Sequence, residues 1–197
     1  MKRGYRKKKK SGLKKVFLLL ILIGIGIGLL SVFHRELSDS VRPWLERRGL
    51  LGQKKEVMLF FSDREAEFLI GEKRGIEKKV DVEDEVRELI QELIKGPKGH
   101  LLPTLPPRTK LLSLHLDEKG MAKVNFSKAL SKDHPGGSSA EMATVYSVVN
   151  SLVLNFPKIK RVQFLVEGRE IDTITGHLSI SKSVSPRPDL IKKSIVK

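Results

Sequence analysis

The chain has 197 residues, no cysteine and a formal charge of +15. Composition alone therefore excludes disulfides, thiolate chemistry, Cys-type zinc sites and lipid attachment through a Cys. The charge is also unevenly placed. Residues 1–15 hold nine Lys or Arg and no acid, residues 34–55 six basic against three acidic, and residues 182–197 five basic against one, which leaves 56–181 at about −1. A body with so little positive field excludes a nucleic-acid reader, and no nucleic-acid partner is expected.

In chain order, the basic arm 1–15 meets an uncharged apolar run from Val16 to Phe33. As a helix these eighteen residues span roughly 27 Å, close to the hydrocarbon thickness of a bilayer. The run ends in "GLLSVFHREL" without a small-x-small cleavage pattern, which favours an uncleaved anchor over a signal peptide. The positive flank places the N-terminus in the cytoplasm and everything after Phe33 outside it. The expectation is a single-pass protein of the inner (cytoplasmic) membrane, with the lipid bilayer as its first partner and a periplasmic or extracytoplasmic C-terminal domain. Gly24 and Gly28 form a G-x-x-x-G pair suited to helix packing and hence to a homo-oligomer. Residues 34–55 read as a connector interrupted by Pro43, Gly49 and Gly52.

The body begins with "EVMLFFS" (56–62), a β-rich run paired with a second strand through the polar turn "DRE". A helix follows over 82–95, with Asp81 as N-cap and Gly96–Pro97 as its stop. The prolines of "LLPTLPP" mark a loop. A hairpin comes next: Leu112, Leu114 and Leu116 alternate on one strand, Ala122, Val124 and Phe126 on the other. Ser138 and Glu141 have capping-box spacing and open a second helix that runs to Pro157. Val148 and Leu154 lie off its main apolar stripe, either as further core or as a partner surface. Val162, Phe164 and Val166 share one face of another strand, and "REIDTITGHLSIS" reads as a turn with a short final strand. The tail 182–197 is basic, is broken by Pro186 and Pro188, and reads as flexible.

The expected fold class is α+β: one mixed or antiparallel sheet with two helices packed on one face, preceded by a single N-terminal transmembrane helix. The domain plan is arm 1–15, span 16–33, linker 34–55, folded domain 56–181 and tail 182–197.

Chemistry is harder to find. The five histidines show no metal-ligand spacing, "GGSSA" lacks the second glycine of a nucleophile elbow, and "PGGS" lacks the end of a phosphate loop. No catalytic, metal or cofactor-binding residue is assigned and no cofactor is expected. Gly168, Arg169, Gly176 and His177 read as turn residues, with a partner-binding edge as the sharper alternative.

The strings "LIQELIKGP" (89–97), "LPPRTKLLSLHL" (105–116), "GMAKVNFS" (120–127), "AEMATVYSVVNSLVLNFPKIKRVQFLVEG" (140–168) and "TGHLSIS" (175–181) together resemble a GerMN domain, a family named for sporulation and spore germination. The resemblance covers essentially all of 56–181. It implies a non-catalytic domain without an active site to carry over. Its best-understood member is an envelope lipoprotein that helps build a multi-protein channel complex, with a domain similar to ring-building modules. Another architecture places the domain in a lipoprotein associated with a sensor kinase. This chain departs from the pattern in carrying one copy and a membrane helix in place of a lipidated Cys. The expected function is binding and assembly in an envelope complex, with protein partners there. A peptidoglycan hydrolase or a ligand-sensing envelope protein is the alternative.

Overall fold

The computed structural model describes residues 52–192. The basic arm, the expected span with Gly24 and Gly28, most of the connector, and residues 193–197 lie outside the described residues. Among the described residues, no helix is long and apolar enough to cross a membrane.

β1 (Lys54–Ser62) and β2 (Leu69–Glu77) pair antiparallel along their whole length. Val57, Leu59 and Phe61 are buried on one face of β1, with Arg74 and Ile76 buried on β2, as the two-residue period of a strand requires. α1 (Val82–Lys95) packs on this hairpin through Val86, Leu89, Ile90 and Leu93. Both of its ends stand where local chemistry puts them. The Asp81 carboxylate accepts the Glu83 N–H at 2.9 Å, and Gly96 closes the last turn at φ 83°.

The chain continues through β3 (Leu111–Leu116), β4 (Met121–Phe126), the single turn α2 (Ala129–Lys132), α3 (Ser138–Asn155), β5 (Arg161–Val166) and β6 (Arg169–Glu170). These strands form a mixed sheet in the order β3-β4-β5-β6. β4 and β5 are parallel and the other pairs antiparallel, so α2 and α3 supply the crossover that a parallel pair needs.

The α+β class holds, but the strands form two sheets and not one. The cause is α3. Every residue from Thr144 to Leu152 is buried, the pattern of a helix covered all round, and α3 touches β1, β5 and α1. Its polar residues then terminate the hairpin. Ser151 Oγ accepts the Phe60 N–H at 3.1 Å, Asn155 Oδ1 accepts the Met58 N–H at 2.8 Å, and Asn155 Nδ2 donates to the Met58 carbonyl at 2.6 Å. The edge of β1 is thus closed by helix side chains where a joining strand would have to sit.

Three local expectations also need correction. A bulge between Leu111 and Ser113 turns Leu112 outward, 45% exposed, while Leu114 stays buried. Ser138 does not cap α3: the N-cap is Gly137, which makes no side-chain bond, and Glu141 is engaged elsewhere. Residues 182–192 are not a loose tail. Val184 exchanges both backbone bonds with Val162, at 2.7 and 2.9 Å, and Arg187 exchanges its N–H and carbonyl with the side-chain amide of the buried Asn150. Prolines forbid a long ladder but not attachment, and a buried amide needs partners.

Candidate partner-binding groove

The β1–β2 turn is more elaborate than a polar loop. The buried Asp63 carboxylate accepts the N–H groups of Glu67 and Phe68 at 2.9 and 3.2 Å, and the Asp63 N–H donates to the Phe68 carbonyl at 2.9 Å. Ala66 is held in the left-handed region at φ 56°, a conformation that costs an L-residue about 1–2 kcal/mol. So braced, the turn presents Phe68 to solvent, 38% exposed, with the Lys192 ammonium 5.6 Å from its ring centre.

Beside the turn, Leu102 exchanges both backbone bonds with Ser62, at 2.9 and 3.3 Å, and its side chain is 42% exposed. The proline loop behind it is pinned to α3. Thr104 Oγ1 lies 2.6 Å from Ser147 Oγ, the Thr144 hydroxyl donates to the Thr104 carbonyl, and His134 Nε2 lies 2.9 Å from the same hydroxyl. Burial pushes the His134 imidazole below its ordinary pKa, partly opposed by the charge of Glu141.

Two cavities of ≈ 270 and ≈ 260 Å³ open here and share Ser62, Ala66 and Ala143. The first reaches Phe68, Met142 and Leu190, and the second runs along Pro103, Pro106 and Pro135. The second cavity is mainly apolar, whereas the first is mixed, with Ser62, Ser139 and the exposed Glu67 beside Phe68 and Met142. Such a surface buries a partner's apolar side chains. The one hydroxyl–imidazole contact described at the groove, Thr144 with His134, has its hydroxyl committed to the Thr104 carbonyl. Among the described residues, no group of three His, Asp or Glu stands in a metal-holding arrangement.

The residues singled out in the sequence fall elsewhere. Val148 is fully buried on α3 and belongs to the core, so it is withdrawn as a partner contact; Leu154, in the last turn, is 49% exposed. Glu167 and Gly168, at φ 50° and 77°, form the tight β5–β6 turn, and Arg169 is exposed beyond it. Gly176, at φ 101°, turns the chain so that the exposed His177 offers its backbone N–H to Glu141.

That carboxylate organises the whole loop. Glu141 is fully buried and accepts the N–H of Ile174 at 2.7 Å, of Thr175 at 3.1 Å and of His177 at 2.9 Å, together with the Thr175 hydroxyl at 3.0 Å. Burial pushes the Glu141 carboxyl up, but these donors outweigh it and hold the group below the ordinary carboxylate range. Sequence reasoning missed both the groove and this clamp. The prolines read only as a loop, the turn before the second strand only as polar, and Glu141 as a cap.

The family model described as Germane, sporulation and spore germination, matches residues 58–172. The chain belongs to the GerMN family. No curated protein sequence matches it. Among solved structures it is similar to a chain described as a lipoprotein from Clostridium perfringens, 29% identical with a TM-score of 0.50, over 71% of this chain and 93% of that one. It shares its fold with the tandem GerMN domains of the sporulation protein GerM from Bacillus subtilis, 18% identical with a TM-score of 0.53, over 68% of this chain and 46% of that one. The GerMN domain is not known as a catalytic family.

Proposed function

We propose that this GerMN domain is a non-catalytic binding module held outside the cytoplasm by the apolar span at 16–33, and that it grips an envelope protein through the groove at the β1–β2 turn. The groove is the observation that carries this reading. It leaves Phe68 and Leu102 exposed beside two joined cavities, one mixed and one apolar, an arrangement that a free monomer gains nothing from keeping uncovered. β1 separates the two ends of the device. Lys54, where the upstream chain arrives, and Ser62, on the groove wall, stand roughly 26 Å apart along the strand. The similarity to a chain described as a lipoprotein supports an extracytoplasmic, membrane-associated setting. A role in sporulation or germination rests on the family description and extends to this chain as part of the proposal.

Site-specific photocrosslinking in intact membranes tests it. A photoreactive residue at position 68 or 102 is expected to trap one defined envelope protein, whereas the same residue at the exposed position 169 traps none. Replacing Met142 by Asp on the groove floor is expected to abolish the product. Equal trapping at all three positions, or none at 68 and 102, would sink the assignment. Protease added outside spheroplasts is expected to remove the domain, and protection there would reverse the topology.

A further inference from the structure

The pairing register of the first hairpin shows which of its backbone groups point outward. The N–H groups of Met58 and Phe60 leave the hairpin for α3, so Glu56, Met58, Phe60 and Ser62 face outward on β1. Their register partners on β2 are Gly75, Lys73, Gly71 and Leu69. Directly opposed residues in an antiparallel ladder share one orientation, so these four, and Glu77 beyond them, turn their N–H and C=O groups away from β1.

The two ends of that row are occupied. The Leu69 carbonyl accepts the Lys192 N–H at 2.9 Å, and the Glu77 N–H donates to Glu88 Oε1 at 2.9 Å. Between them Gly71, Lys73 and Gly75 are all exposed. Other edges are closed by recognisable devices. Ser151, Asn155 and Leu102 cover β1, β6 and Val184 cover β5, and β3 carries a bulge while its Leu116 N–H donates to Glu83 at 2.7 Å. A straight, uncovered edge is a template for another strand.

We infer that the window Gly71–Gly75 is a self-association edge: β2 pairs antiparallel with β2 of a second copy about a two-fold axis at Lys73. Among the described residues, the blocked ends leave a free window whose midpoint is Lys73, and only a pairing centred there uses every outward group. The sequence of the window, Gly-Glu-Lys-Arg-Gly, sets glycine against glycine at both ends when reversed, so no side chain obstructs the approach there. Gly71 faces Gly75 of the second copy, and Glu72 faces its Arg74 across a closely spaced non-hydrogen-bonded pair. Both side chains are already engaged within each chain, Arg74 buried against Glu72, Glu92 and the Gly96 carbonyl and Glu72 also accepting the Lys98 N–H, so the junction rests on backbone bonds and leaves that ion pair intact. Lys73 meets its own copy, and the Glu56 carboxylate 2.9 Å from its ammonium in each chain offsets the repulsion. A Cβ at 71 would stand 2.7 Å from Met58 Sδ, so a larger residue there would have to displace the Met58 side chain.

Because the chain lacks cysteine, disulfide trapping is unambiguous. The full chain carrying Lys73→Cys, oxidised in native membranes, is expected to give a disulfide dimer, because an opposed hydrogen-bonded pair has Cα atoms about 5.5 Å apart, within disulfide range. Arg169→Cys is expected to stay reduced. Equal trapping at both sites, or none at 73, overturns the inference; contact through the membrane span alone does not favour position 73. A second variant is Lys73→Pro, which deletes an outward N–H without removing a hairpin bond. It is expected to keep the thermal midpoint of the wild type and to lose the dimer by sedimentation of the full chain in micelles. Amide exchange at 71, 73 and 75 is expected to slow as concentration rises. Slow exchange at every dilution would mean that the edge is filled from within the same chain, and would also overturn the inference.

Discussion

Replacing Glu141 by Gln is nearly isosteric and isolates the charge of the loop clamp. The amide oxygen can keep the Ile174 and Thr175 N–H groups that now bond Oε1, but the new NH₂ faces the His177 N–H and the Thr175 hydroxyl that now bond Oε2. The hydroxyl can rotate to accept, whereas the His177 N–H is left against a donor. Losing two charge-assisted bonds at about 1.5–3 kcal/mol each, with partial recovery at the hydroxyl, predicts a loss of about 3 kcal/mol. The pH dependence sharpens the test. The folded carboxyl lies below its ordinary value of 4.5, so its contribution is complete above that value and is lost as pH falls through the lower folded pKa. Urea unfolding of the full chain in micelles at pH 7 and again near pH 3.5 is expected to show a wide gap between wild type and variant that narrows in acid. A gap below about 0.5 kcal/mol at pH 7, the scale of an ordinary surface change, would refute the assignment, as would a gap that does not move with pH.

Two further substitutions separate core from surface and probe the hairpin's buried cation. Val148→Asp puts a charge at a site with no exposure and is expected to cost more than about 4 kcal/mol, whereas Leu154→Asp should stay within about 0.5 kcal/mol; paired melting curves check both. Arg74, buried between Glu72 at 2.6 Å, Glu92 at 3.0 Å and the Gly96 carbonyl at 2.8 Å, is expected to cost about 3–5 kcal/mol when replaced by Met. Chemical denaturation at neutral and acid pH should show that loss shrinking as the two abandoned carboxylates take up protons.

What could be read from the sequence was what is decided locally. Asp81 and Gly96 delimit α1 because a cap depends only on adjacent residues. Val162, Phe164 and Val166 share a buried face because strand period is local too. The division into two sheets depends on Ser151 and Asn155, which in a one-dimensional reading are merely polar residues on a helix. Only the three-dimensional meeting of α3 with β1 turns them into strand terminators. Glu141 misled for the same reason: its spacing from Ser138 suits a cap, yet donors more than thirty residues away hold it more strongly. The bulge that exposes Leu112, and the anchoring of 184–192 by Asn150 and Val162, likewise arise from contacts between distant segments. The groove carries no motif at all, since it consists of small side chains that make a concave surface only once the turn at 63–68 and the loop at 102–107 lie side by side.

The two proposals together have a consequence that neither has alone. Self-pairing about Lys73 relates the two hairpins by a two-fold axis, so their turns, and with them the grooves beside Phe68, point to opposite ends of the joined sheet. Leu69 lies roughly 13 Å from Lys73 along β2, which sets the two grooves at least roughly 26 Å apart. A pair of chains is then a bivalent binder, and a partner with two matching segments is held by avidity rather than by one groove. Lys73→Pro should therefore leave the affinity for a single-segment partner unchanged and weaken a two-segment partner by about 10²-fold or more, whereas Met142→Asp should weaken the single-segment partner and weaken the two-segment partner further, because both grooves of the pair lose the contact. Surface-captured full chain at low and high density measures the difference. If Lys73→Pro weakens the single-segment partner as well, the edge and the groove are not independent surfaces, and the placement of one by the other fails.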